Sequence, residues 1–172
     1  MTLAELTEAL RQFVWGDLPL ARLHERLRPL IVADVSDESE TDPSPWLKGP
    51  EDERLFWRLV YHVESHADES SRFRDQLRRI VAALDRTGSA AVTHELWPLI
   101  LDQPRFCIVA RKYGSGSVSR TGFLSVIAES GYPRHIKRWL QQASLGGLEA
   151  LCRRLDGGEY DVVAATFQAP PA

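Results

Sequence analysis

The sequence predicts an all-α fold, a single-domain orthogonal or bundle-like arrangement of about seven to nine short helices. Three observations carry that expectation. Apolar residues recur at three- and four-residue spacing almost everywhere. Gly and Pro fall where such stripes begin or end. Only "PRFCIVARKY" carries enough β-branched and aromatic residues to read alternatively as a strand, and it too is read as a helix.

The first stripe is Leu3, Leu6, Leu10 and Phe13, opened by Thr2 and Glu5 at capping-box spacing and closed near Gly16. Pro19 then stands at a helix start, followed by Leu20, Leu23, Leu27 and Leu30 on one face, and Pro29 is expected to end or bend that helix. Residues 34–50, "DVSDESETDPSPWLKGP", have no apolar period and are rich in acids, Ser and Pro, so they read as a loop whose Trp46 and Leu47 tack its end to the core. A third helix presents Leu55, Phe56, Leu59, Val60 and Val63, and a fourth presents Phe73, Leu77, Ile80, Val81 and Leu84 before stopping at Gly88. After "THELWPLIL" and "PRFCIVARKY" come helices at about 119–130, 133–142 and 145–156. The domain is expected to span residues 1–165, with 166–172 a disordered tail.

Composition bounds the function classes. A chain of 172 residues with 44% hydrophobic and 26% charged residues has the makeup of a folded protein rather than a disordered one. No apolar run approaches the roughly 20 residues of a membrane helix, and "MTLAELTEAL" has acids where a signal peptide has cations, so a cytoplasmic location and no membrane partner are expected. Cys107 and Cys152 lie far apart without a CxxC, which indicates neither a disulfide framework nor a zinc site and reads as two buried small hydrophobes. No internal repeat is present.

Charge is unevenly placed. Residues 1–70 hold 15 acids against 7 Lys and Arg, whereas residues 103–155 hold 9 Lys and Arg against 2 acids. The second segment can attract an anionic partner and the first a cationic one, or the charges simply solvate helix surfaces. Within the basic segment, "YGSGSVSRTG" between Arg111, Lys112 and Arg120 lacks the spacing of a P-loop and follows no clear strand, so nucleotide binding is not expected there. Ser115, Ser117 and Ser119 lie in no GxSxG turn; the stretch reads as a helix connection ending in a Ser/Thr cap.

"FLSVIAESGYPRHIKRWLQQ" resembles a helix-turn-helix, and the resemblance covers residues 119–142. Phe123, Leu124 and Ile127 would face inward from the first helix, Ser130, Gly131 and Tyr132 would turn, and Ile136, Trp139 and Leu140 would hold the second. Arg134, His135, Lys137 and Arg138 would then face outward, as the resemblance implies for a helix offered to a groove or to phosphates. Two departures stand beside it: the Ala128 to Gly131 interval is short, and Lys137 falls where an apolar residue is usual.

His62 and His66 stand four apart in "YHVESHADE", a spacing that can chelate a metal, with His94 or Glu69 as a third ligand if the fold brings one near. The order is not HExxH. By helical register His66 lies near the apolar face and His62 at its flank, which favours a partly buried, hydrogen-bonded pair over a metal site. His24 and His135 read as lone surface residues. No carboxylate pair points to acid/base chemistry.

The sequence therefore predicts a small non-catalytic interaction or regulatory protein without a cofactor. It would bind another macromolecule, a protein in the first instance, through opposed acidic and basic surfaces, the basic one formed by Arg111, Lys112, Arg120, Arg134, His135, Lys137 and Arg138. A nucleic-acid-binding regulator and a metal enzyme built on His62 and His66 are the alternatives.

Overall fold

The computed structural model describes residues 1–37 and 50–171, and among them every regular element is a helix. In order these are α1 (Leu3–Trp15), α2 (Leu20–Asp37), α3 (Glu51–Glu64), α4 (Ser71–His94), α5 (Trp97–Leu101), α6 (Gln103–Gly114), α7 (Arg120–Glu129), α8 (Arg134–Gln142), α9 (Leu145–Gly157) and α10 (Tyr160–Thr166). The chain gathers into two compact units, Met1–Val92 and Thr93–Ala172.

In the N-terminal unit the caps act as the sequence implies. The Thr2 hydroxyl accepts from the Glu5 amide while the Glu5 carboxylate accepts from the Thr2 amide, and Gly16 ends α1 at φ 91°. Leu6, Leu10 and Phe13 of α1, Leu20, Leu23 and Leu27 of α2, Leu55, Leu59 and Val63 of α3, and Phe73, Leu77 and Ile80 of α4 are all buried. α2 does not stop at Pro29 but runs on to Asp37. Pro29 is exposed, so the carbonyl it leaves unpaired, that of exposed Glu25, can be served by water. The loop expected over residues 34–50 thus begins later than its composition suggested, and its remainder, including Trp46 and Leu47, lies outside the described residues.

Gly88 adopts φ 72° and ψ −173°, which interrupts α4 where the sequence placed its end, although the chain resumes helical geometry as far as His94. An L side chain rarely takes that backbone shape.

In the C-terminal unit "PRFCIVARKY" is helical, as α6. Tertiary context decides it: Phe106, Cys107 and Ala110 face one core with Phe123, Ile127, Ile136, Trp139, Leu140, Leu148, Leu151 and Cys152, a pattern of helical period. α6 packs on α7 and α9, α7 on α8, and α9 on α10. α10 was missed in the sequence, where Tyr160 and Val163 are too few to show a period; both are buried. The stretch read as a tail, 166–172, includes a core residue, because the Phe167 ring meets Trp139 edge-on at 5.4 Å.

Candidate functional site

The basic segment sorts into three groups once folded. Arg111 projects from α6 and forms an ion pair with Asp156 of α9 at 2.8 Å, which holds its guanidinium above its ordinary value. Its charge is therefore shared within the unit. Lys137 was expected to face solvent beside Arg134 and Arg138; it is half-buried, and its ammonium donates to the Ala128 carbonyl at 2.7 Å. Burial lowers its pKa. The position that departs from a helix-turn-helix pattern is thus the one that fastens α8 to α7.

Lys112, Arg120, Arg134, His135 and Arg138 remain exposed. Lys112 and Arg120 flank the serine-rich turn. In that turn the Ser119 hydroxyl accepts from the Gly122 amide at 3.1 Å, so the start of α7 is served by its own cap.

Arg134, His135 and Arg138 lie on the first turns of α8 and converge with His94 and Pro133 on an open cleft of about 480 Å³. α8 sits there for a local reason. Pro133, buried, fixes the entry to the helix without a side-chain cap, and Ile136, Trp139 and Leu140 are buried along one face. Positions 134, 135 and 138 are therefore driven outward, with Gln141 and Gln142 exposed beyond them. Among the described residues neither Arg134 nor Arg138 takes part in an ion pair, and Arg134 and His135 stand at the positive end of the helix dipole.

The histidine pair is hydrogen-bonded, as the spacing suggested, but the depths are exchanged. His62 is buried and His66 is half-exposed, because α3 ends at Glu64 and helical register cannot be carried on to residue 66. His62 Nε2 donates to the Gln76 side-chain oxygen at 2.7 Å, and His66 Nδ1 donates to the His62 carbonyl at 2.7 Å while its ring stacks on Phe73. Burial first, and then the nearby His66, depress His62 to about 3. Glu69 is engaged by Arg74, His94 belongs to the other unit, and among the described residues no three metal-ligating side chains cluster. His24 is not a lone surface residue; its Nε2 meets the Val63 carbonyl at 3.1 Å and joins α2 to α3.

Several acids of the N-terminal unit are met by local cations: Glu8 and Asp85 by Arg11, Glu25 by Arg22, Asp75 by Arg78. Asp52 and Glu53 stand in the first turn of α3, where the helix dipole favours them.

The two cysteines were read separately because 44 residues lie between them. Both are buried, and the fold sets them against each other across the α6 and α9 interface. Spacing alone carries no signal for this; only a correct pairing of the two helices would have.

Set against models of known protein families, against curated proteins and against solved structures, the chain matches none.

Proposed function

We propose that this protein acts by binding rather than by catalysis, and that its contact surface is the basic cleft at the start of α8, offered to an anionic macromolecule. One observation carries the reading: Arg134, His135 and Arg138 converge with His94 on one open cleft, while Arg111 and Lys137 are engaged within the unit. Two exposed guanidiniums on a rigid helix suit carboxylates or phosphates, which they grip through paired N–H donors.

An acidic surface of a partner protein is the favoured ligand. A regulatory role by occupying that partner is part of this reading. A nucleic acid is the second reading, supported by Gln141 and Gln142, which extend the exposed face of α8 beyond Arg138. The acidic N-terminal segment, with its internal ion pairs, is a weaker candidate for a contact surface.

Capture of partners from a native lysate by wild type and by the Arg134→Glu/Arg138→Glu variant tests the proposal. A partner retained by wild type and absent from the folded variant supports it. Retention by both places the binding surface elsewhere. Duplex DNA titrated across salt separates the readings, since removing one cation that touches a phosphate should reduce the log–log salt slope by roughly 0.9.

A further inference from the structure

α6 and α9 pack antiparallel. At one end the Gln103 side-chain amide donates to Asp156 at 2.8 Å. At the other, Ala110, Arg111 and Gly114 face Leu145, Gly146 and Glu149 across a cleft of about 490 Å³. Each step forward on α6 is a step back on α9, so Cys107 falls opposite Cys152. Ala110, Gly114 and Gly146 are small, and a Cβ added at either glycine would meet no described atom within 4 Å, so they leave that cleft open.

Both cysteines are free and lie in the same core, and the largest influence on each thiol is the other. Contact with the Cys107 S–H and the charge of Arg111 hold Cys152 below the usual thiol range despite its burial. That contact and burial push Cys107 up. Arg111, which lines the same cleft as Cys152, favours a thiolate there. Cys152 is also the one of the pair that lines the cleft, beside Arg111 and Arg153.

We propose that Cys107 and Cys152 form a peroxide-reactive dithiol that closes to a reversible disulfide between α6 and α9, with Cys152 attacking and Cys107 resolving. A small hydroperoxide is the class of oxidant that suits a sulfur only 2% exposed at the wall of a cleft. The Cys152 thiolate attacks one peroxide oxygen, the O–O bond breaks, and the departing oxygen takes a proton to leave as water or an alcohol. Cys152 is now a sulfenic acid, oxidised by two electrons. Cys107 gives up its proton, its sulfur attacks that of Cys152, and the sulfenic hydroxyl leaves with the proton as water. Two thiols are oxidised and one peroxide is reduced. A dithiol reductant reverses the bond by exchange.

The test treats folded full-length protein with hydrogen peroxide, blocks remaining thiols and maps tryptic peptides without reduction. A disulfide joining peptides 106–111 and 139–153 is expected, formed without loss of helicity and removed by a dithiol. Cys107→Ser should leave a sulfenic acid at Cys152 that a cyclic diketone traps. Cys152→Ser should slow oxidation of Cys107 by roughly tenfold or more. Thiols that stay reduced until the protein is unfolded would overturn the proposal, as would a disulfide found only between molecules. Faster oxidation at Cys107 would overturn the assigned roles. The wild-type peptide map decides the central point even if a variant fails to fold.

Discussion

The Lys137 ammonium donates to the Ala128 carbonyl over 2.7 Å, so a side chain of α8 closes the C-terminal end of α7. That carbonyl is among the last of its helix and has no amide partner further along the helix. Lys137→Met keeps the stem and removes the donor, and should lower stability by about 1 kcal/mol. Affinity for an anionic partner should change little. Arg134→Glu/Arg138→Glu should do the reverse, leaving stability within about 1 kcal/mol and abolishing binding. Urea midpoints beside a binding titration check both. A Lys137 variant that fails to bind at full stability would return that residue to the binding surface.

Trp139 lies against Phe167 with ring centroids 5.4 Å apart, and its buried indole N–H has no partner among the described residues. Trp139→Ala should cost about 3 to 5 kcal/mol through the burial it forfeits and the cavity left behind. Trp139→Phe removes the unsatisfied donor along with part of the ring, so its cost should be less than half as large. Ending the chain at residue 166 removes Phe167 and should also lower the urea midpoint. An unchanged midpoint in that shortened chain would show that Phe167 contributes nothing to the core.

Local physics made the helices legible. Caps, stripes and stops depend on residues within a few positions of each other, which is why Thr2, Glu5, Gly16 and Gly88 act where the sequence placed them. What escaped depends on long-range partners. α10 is recognisable only once α9 gives Tyr160 and Val163 a surface to cover. Of the basic face, Arg134 and Arg138 could be read from the period of α8, because burial of Ile136 and Leu140 fixes the opposite side. The engagement of Arg111 by Asp156 could not, since the pair joins different helices. Cys107 and Cys152 are hidden for the same reason.

Gly88 offers a test of the kink in α4. Among the described residues an added Cβ would meet no atom within 4 Å, so crowding by them is not the cost of substitution there. The cost is conformational: at φ 72° and ψ −173° any other residue is strained. Gly88→Ala should therefore destabilise by roughly 1 to 3 kcal/mol despite alanine's higher helix propensity. A stabilised variant, with higher helicity by circular dichroism, would show instead that α4 prefers to run straight.

Acid should weaken the N-terminal unit through His62. Its imidazole, ordinarily near 6.5, is depressed to about 3 by burial, with His66 adding to the effect. Between those values the unfolded chain binds a proton at this position and the native chain does not. Stability from this group is therefore full above the ordinary value and falls as pH drops toward the native one, by up to about 1.4 kcal/mol for each pH unit. Gln76 Oε1 accepts the hydrogen bond from His62 Nε2, so replacing His62 alone would strand a buried amide. The matched variant is His62→Phe with Gln76→Leu, which removes donor and acceptor together and keeps the space filled. Urea unfolding from neutral pH to about pH 4.5 should show wild type losing stability more steeply than this variant, the carboxylates being common to both. Parallel curves would mean that His62 is protonated within the folded chain, and that the depth assigned to it on α3 is wrong.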